Sequence, residues 1–418
     1  MRILYLNPSG ALGGAERALL EAMAAVREIE PTWTLGLVSF ENGPAVGRAR
    51  LLGVDATAAP MPDSLATTGE SGLTITDALI QAGRSAGGAL TYARGLRRQI
   101  AAWQPDVIHS NGIKAHVLGA WSRRGARLVW HVHDYLSARP LSVRLLRRHA
   151  RSAAAVIANS QSVAADVSAA LGPRVRTTVV YNAIDTERFS PEGPRLDLDA
   201  ASGLAAPDEP VLRVGLVGTF ARWKGHDVFL RAVANLRHRH RLRAYIVGGP
   251  VYRTGAASQT SFEELARLAH ELGVDGDAGF TGFVEEPADA YRALDVVVHA
   301  STSPEPFGLC IAEAMACGRP VVIADAGGAR EVGNPGRTCL AHPPGDVAAL
   351  TSALDQLLSN AVLRRELARR GREHVSTRFT RRAAGMSLRD LYLELVGVAP
   401  AGSSTGSDAQ RYDFRAPR

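Results

Sequence analysis

The sequence predicts an α/β protein built from two doubly wound parallel-sheet units in tandem, with a ligand cleft between them. Three observations lead there. Short apolar runs alternate with longer segments of helical periodicity through both halves, as parallel strands joined by crossovers require. Between about residues 186 and 210 the alternation lapses into Pro, Gly and charge, ending in SPEGPRLDLDAASGLAAPDEP (190–210). It then restarts with LRVGLVG (212–218).

In the first half the strand candidates are Arg2 to Leu6, Thr34 to Val38, Val107 to His109, Leu128 to His131, Ala155 to Ala158 and Thr177 to Val180. Most are short and continuously apolar, the pattern of strands covered by helices on both faces. Ala15 to Glu28 and Ile113 to Arg123 carry helical periodicity between them, and residues 57–75 read as a variable loop. The second half offers LRVGLVG, AYIVGG (244–249), GFTGF (279–283), DVVVHA (295–300) and PVVIAD (320–325). Helices follow over about 346–373 and 378–396, and the tail from Pro400 is too rich in Gly, Ser, Ala and Pro to order itself. The expected division is a first domain over 1–190, a linker over 191–210, a second domain over 211–375, a C-terminal helix over 376–397 and a tail over 398–418.

The chain of 418 residues, 46% hydrophobic and 21% charged, is long enough for about two or three globular domains. Cys310, Cys317 and Cys339 form neither a C-x-x-C nor a Cys/His ligand pattern. That argues against a disulfide framework or a zinc site and fits a reducing compartment. No apolar run of about 18 residues is present and the N-terminus lacks a signal-peptide pattern, so a cytoplasmic protein is expected. Residues 1–190 hold 21 basic and 14 acidic side chains, whereas 191–418 hold 27 of each, so the net charge of +7 belongs to the first half. Such a half suits an anionic partner. No recognised nucleic-acid motif accompanies the charge, which leaves an acidic membrane surface. Lys114 and Lys224 are the only lysines among 48 basic residues, and where they fall is informative.

The segment SPEPFGLCIAEAMACGRPVVIAD (303–325) carries the most chemistry. Glu305 lies in a Pro-flanked loop, a helix is expected to begin near Phe307, and Glu313 is expected about two turns inside it. A helix opening on Phe307, Gly308 and Leu309 points free N–H groups outward, which suits a phosphate. Glu313 is then able to accept hydrogen bonds from vicinal hydroxyls. Read alone, two glutamates eight apart also describe a solvated surface.

The same segment resembles the E-x7-E signature of retaining glycosyltransferases with two Rossmann-like domains, the GT-B fold, and specifically of family 4. SGALGGAER (9–17) looks like that family's N-terminal glycine loop. HVHDY (131–135), ANSQSV (158–163) and YNAIDTERF (181–189) resemble its His, Asn-Ser and Asn-Gly-Val-Asp segments, and VGTFARWKGHDVFLRA (217–232) its donor-phosphate motif. The resemblance covers about residues 1–396 in order. It implies two doubly wound domains facing a central cleft, with the C-terminal helix crossing back to the first.

By this resemblance Glu313 binds the ribose of a nucleotide-diphosphate sugar, Glu305 contacts the transferred sugar, and the amides of Phe307, Gly308 and Leu309 hold the diphosphate. Gly218, Thr219 and Val284 belong to the same donor site, with base selection near Phe283 and Val284. Gly13 and Gly14 let the opposite domain's backbone approach the leaving phosphate. Lys224, before Gly225, stabilises the departing charge. His133, after the strand ending at His131, reaches a phosphate or sugar hydroxyl, although a lone histidine also serves as a core or capping residue.

The sequence departs from the family at two places. Where relatives carry arginine directly after the motif glycine, this chain has Thr219, and Arg222 stands three residues on. Either Arg222 supplies the guanidinium or it is a solvated loop arginine. Where relatives look like H-x-H, this chain has His109 and Asn111; with Lys114 they form the acceptor-side candidates, Lys114 reading equally as a residue of a helix N-terminus. The implied reaction needs no cofactor and no obligatory metal. The D-x-D triplets Asp197/Asp199 and Asp275/Asp277 fall in the linker and in a surface turn.

In RPLSVRLLRRHARS (139–152) Arg144, Arg147, Arg148 and Arg151 lie near one helical face, with Val143, Leu145 and Leu146 close by. That pattern suits peripheral binding to an anionic membrane, the inner face of the cytoplasmic membrane for a lipid-linked acceptor. The expected activity is transfer of a hexose-type sugar to a glycan, lipid-linked or small-molecule acceptor, in cell-envelope or exopolysaccharide biosynthesis. The alternative is a catalytically silent nucleotide-sugar-binding subunit. A glycoside hydrolase using both glutamates fails on context, since they flank a helix start suited to phosphate.

Overall fold

A computed structural model describes residues 1–62, 75–236, 241–250 and 258–398, with the backbone alone for 75–86. Its first unit runs β1 (Arg2–Asn7), α1 (Gly14–Ile29), β2 (Thr34–Ser39), α2 (Pro44–Leu51), β3 (Asp55–Ala58), α3 (Ile75–Trp103), β4 (Val107–Asn111), α4 (Ile113–Ser122), β5 (Arg127–Val132), α5 (Pro140–His149), β6 (Ala153–Ala158), α6 (Gln161–Leu171) and β7 (Thr177–Val179). After a short α7 (Leu198–Ser202) come β8 (Leu212–Val217), α8 (His226–Leu236), β9 (Leu242–Val247), α9 (Phe262–Glu271), β10 (Ala278–Gly282), α10 (Pro287–Ala293), β11 (Val296–His299), α11 (Leu309–Ala316), β12 (Val321–Ala324), α12 (Gly328–Gly333) and β13 (Leu340–His342). Three helices follow within the described residues: α13 (Val347–Ser359), α14 (Ala361–Arg378) and α15 (Arg381–Val396).

All strand pairs are parallel, in a seven-stranded sheet of order β3-β2-β1-β4-β5-β6-β7 and a six-stranded sheet of order β10-β9-β8-β11-β12-β13. Both are doubly wound, so each has a point where connections leave in opposite directions, between β1 and β4 and between β8 and β11. Ligands bind in the crevice that opens there at the strand C-termini. The strands are apolar on both faces because both are roofed. Ile3, Tyr5, Val107 and Val129 pack beneath α1 and α15, while Leu4, Leu6, Ile108 and Trp130 pack against the helices opposite.

The last helix crosses back onto the first domain, as expected. Gly385 makes the close crossing possible, since a Cβ there would lie 2.4 Å from the Ala25 carbonyl oxygen of α1. Arg381, at the start of α15, binds Glu21 of α1 at 2.7 Å and Asp185 of the interdomain crossing at 2.8 Å. Buried Arg292 of α10 ties the linker down by donating to the carbonyls of Arg188, Ser190 and Pro194.

Some elements differ from expectation. β3, β13 and the long α3 were not anticipated; β3 and β13 are edge strands of four and three residues, too short for a periodic signal. The helix expected over 346–373 is two helices, broken where the Asn360 side chain accepts the Leu363 N–H at 2.9 Å and caps the second. Residues 63–74 of the expected variable loop and the tail from Pro400 lie outside the described residues. Among the described residues no helix is long and apolar enough to cross a membrane.

Candidate active site

At the crevice of the second sheet, the chain leaving β8 passes Gly218 and Thr219 and forms one tight turn over Arg222–Lys224. Gly225 follows with φ 70°, and a Cβ on it would lie 2.0 Å from the Ala300 carbonyl oxygen. Only glycine lets this turn press against the end of β11. The contact brings Lys224 over the loop that follows β11: its ammonium donates to Glu305 Oε2 at 2.7 Å and lies 4.0 Å from the Trp223 ring centroid. The same oxygen bonds His299 Nε2 at 3.0 Å and Ser301 Oγ at 3.2 Å. Because the Ala324 N–H donates to His299 Nδ1, Nε2 carries the imidazole proton and faces the carboxylate. Burial alone pushes Glu305 up, but Lys224 and His299 outweigh it and hold the carboxyl at about 2. Sequence reasoning missed His299 and Ser301; the available signal was a polar pair closing an otherwise apolar strand.

The main chain of Glu305 is held as firmly as its side chain. The Gly328 N–H donates to the Glu305 carbonyl at 2.7 Å. Gly327, at φ 65°, comes so close that a Cβ would lie 2.5 Å from that carbonyl oxygen. Helix α11 begins at Leu309, two residues later than expected, because Gly308 adopts a left-handed conformation at φ 97°. Glu313 is therefore the fifth helical residue, little more than one turn inside. The N–H groups of Leu309 and Cys310 lack intrahelical partners by helix geometry, the arrangement that suits an anion. Phe307 is buried, its ring 6.3 Å from Tyr181 and 5.7 Å from Phe379, so only its backbone is available. Glu313 accepts the Tyr291 hydroxyl at 2.9 Å. Burial raises its pKa, opposed by Arg17 of α1, Tyr291 and Arg188. Arg17 reaches it electrostatically from the other domain, a residue sequence reasoning did not single out. Val284 packs partly buried at the margin of this core, and Phe283 is exposed.

Across the cleft lies the β1/β4 crevice. Gly13 caps α1 and Gly14 is exposed, with open space where a Cβ would be. The glycine on which the loop geometry depends is Gly10, where a Cβ would lie 2.6 Å from the Asn42 carbonyl carbon. Asn111 Nδ2 donates to Asn7 Oδ1 at 2.8 Å and joins the ends of β4 and β1. Lys114 is the second residue of α4 and half-buried. The His133 ring lies 3.9 Å from the His131 ring. Burial pulls His133 down to about 4, and neither of its nitrogens has a partner among the described residues.

Two expectations are corrected and a third is narrowed. His109 is fully buried, with Nδ1 2.6 Å from the Tyr392 hydroxyl of α15 and Nε2 3.0 Å from His131 Nδ1. It docks the C-terminal helix and does not face an acceptor, because its strand position points under α1 and α15. Arg222 is engaged by Glu264 through bonds of 3.0 and 3.1 Å on an exposed surface. In α5, Val143 and Leu146 are buried while Leu141 and Leu145 are exposed, and Arg147 is tied to the Ala170 carbonyl of α6. The D-x-D triplets have structural work: Asp197 caps α7, Asp199 binds Arg213, Arg243 and Tyr245, and Asp275 pairs with His270.

Two family models match the chain, "Glycosyltransferase Family 4" over residues 54–188 and "Glycosyl transferases group 1" over residues 212–360. The D-inositol 3-phosphate glycosyltransferase of Corynebacterium kroppenstedtii is 35% identical over 230 residues, 53% of this chain and 49% of that protein. The chain thus spans about half the length of the first relatives it matches. The D-inositol 3-phosphate glycosyltransferase of Kribbella flavida is 30% identical over 309 residues, 68% of this chain and 71% of that protein. The crystal structure of Anabaena HepE in complex with UDP-glucose superposes with a TM-score of 0.78 at 26% identity, covering 94% of this chain and all of that one (100%). Matched family segments on both sheets, and an alignment over 71% of the Kribbella protein, make this chain a member of glycosyltransferase family 4 with the GT-B fold.

Proposed function

We propose that the protein is a retaining, metal-independent glycosyltransferase moving a hexose-type sugar from a nucleotide-diphosphate sugar to a glycan, lipid-linked or small-molecule acceptor. The observation that carries this reading is the Lys224–Glu305 pair, 2.7 Å apart at the β8/β11 crevice beside the N-terminus of α11. An ammonium has three donors, so Lys224 keeps one on Glu305 and offers the others to a diphosphate. The amides at Gly308 and Leu309 add dipolar charge, and Glu313 takes the ribose hydroxyls. Gly218, Thr219 and Val284 line the donor side, Gly13, Gly14 and His133 face it from the first domain, and Asn111 and Lys114 lie on the acceptor side. The UDP-glucose complex of HepE supports a uridine nucleotide as the first donor to try.

In the reaction the bond between the anomeric carbon and the β-phosphate oxygen breaks, and its electron pair leaves with the diphosphate. The acceptor oxygen bonds to the same face of that carbon and loses its proton to the departing phosphate. The side chains therefore position the reactants and stabilise charge. A panel of nucleotide sugars, scored by hydrolysis and by thermal shift, tests the reading. Stabilisation without turnover by any of them would establish the silent binding subunit instead.

The acceptor end of the proposal is a cytoplasmic membrane surface engaged by the first domain, in envelope or exopolysaccharide assembly. Its support is a patch joining exposed Trp121, Leu141 and Leu145 to Arg144 and Arg148. Binding to anionic liposomes that survives neutralisation of both arginines refutes this part.

A further inference from the structure

The two domains are joined beside the site by a carboxylate that the proposed chemistry does not use. Glu331 of α12, in the second domain, reaches into the start of α6, in the first. Its Oε2 accepts the Gln161 N–H at 2.8 Å and the Tyr181 hydroxyl at 3.0 Å, and its Oε1 accepts the Ser162 N–H at 2.8 Å. Ser160 caps Val163 N–H at 3.1 Å, and Ala164 N–H bonds the Ser160 carbonyl. Every N–H of the first turn of α6 is thus satisfied, two of them by the other domain. A carboxylate gripping a helix N-terminus through two charge-assisted bonds is the strong form of such a contact.

Both routes from this contact end on Glu305. The Tyr135 hydroxyl of the first domain lies 2.8 Å from Ser162 Oγ and donates to the Glu305 carbonyl at 3.3 Å. In the second domain α12 opens at Gly328, whose N–H donates to that same carbonyl at 2.7 Å. Tyr181 belongs to the crossing between the domains, and its ring lies 6.3 Å from that of Phe307, two residues before α11.

We propose that Glu331 is a positioning residue: with Tyr135 and Tyr181 it clasps the domains at the angle that presents Glu305 and Lys224 to a donor held against the Gly13–Gly14 turn. A sugar transferred across a cleft reacts only when its partners approach within about 3–3.5 Å, and a displacement of about 1 Å costs on the order of a hundredfold. The clasp acts through the Glu305 main chain and touches no substrate. It rests on the transferase reading.

The test compares the full chain with Glu331→Gln, Glu331→Asp and Tyr135→Phe. Small-angle scattering of the free proteins reads the interdomain angle, turnover of the donor found active reads kcat, and calorimetry with UDP reads the second domain's nucleotide site. Glu331→Gln is expected to widen the scattering envelope and lower kcat by roughly 10–100-fold while UDP affinity stays within about twofold. Glu331→Asp, which keeps the charge, recovers part of kcat, and Tyr135→Phe falls between. An unchanged envelope overturns the clasp, and a widened envelope with wild-type kcat overturns its positioning role. Loss of UDP affinity in step with kcat overturns the proposal in favour of a general folding role. A wild-type protein that turns over no nucleotide sugar refutes the transferase reading instead, and the scattering comparison still decides the clasp.

Discussion

Replacing Lys224 with methionine removes the cation from a buried pair while keeping much of its apolar stem. The two side chains are only 18% and 9% exposed, so solvent screens them little. Holding Glu305 at about 2 instead of its ordinary 4.5 corresponds to roughly 3 kcal/mol, at about 1.36 kcal/mol per pH unit. The sign follows from a depressed carboxyl: this stabilisation is fully present above 4.5 and is lost as pH falls through about 2. Without Lys224, burial dominates and Glu305 protonates well above its present value, with only His299 and Ser301 still on its oxygen. Breaking one side of a buried pair typically costs about 3–5 kcal/mol. Urea unfolding at pH 7 is therefore expected to show Lys224→Met destabilised by about 3 kcal/mol, with the deficit shrinking toward pH 5 as the stranded carboxylate takes up a proton. Adding Glu305→Gln to the variant should restore much of the loss. A deficit below about 1 kcal/mol, constant between pH 5 and pH 7, refutes the claim that Lys224 holds Glu305 ionised.

Lys224→Arg tests geometry rather than charge, because a planar guanidinium cannot reproduce a 2.7 Å single-point contact beside Trp223. Donor turnover is expected to fall by about tenfold or more in a folded protein; wild-type kcat counts against an ammonium requirement. Arg222→Ala gives up only an exposed pair with Glu264, so thermal stability and donor turnover should both barely move. A fall in turnover for Arg222→Ala with stability unchanged would overturn this and make Arg222 the phosphate guanidinium. Tyr392→Phe strips His109 of its buried partner and should cost about 1–3 kcal/mol in denaturant unfolding, with kcat unchanged.

The segments that carry the proposed chemistry were legible because each is local. Glu305, Gly308 and Glu313 fall within one loop and one helix, and Lys224 within four residues of a tight turn, so their order along the chain records their roles. The alternation of apolar runs with helical segments likewise determined two doubly wound sheets, since a parallel strand must be apolar on both faces. What sequence could not supply was parity and partnership. His109 and Asn111 sit on one strand two residues apart, and only the packing of α15 onto α1 shows that His109 ends beneath a helix more than 250 residues away. The short edge strands β3 and β13 were missed for lack of periodic signal, and the late start of α11 because Gly308 turns left-handed before it.

The lysine ratio shows the same division. Of the two lysines among 48 basic residues, the motif around Lys224 singles that one out from sequence alone. That its ammonium shares one carboxylate oxygen with His299 and Ser301, and that Glu331 grips α6 from the other domain, depends on residues far apart in the chain. Local spacing specifies the elements and their chemistry; contacts between separate elements, which carry no spacing signal, were decided by the tertiary structure alone.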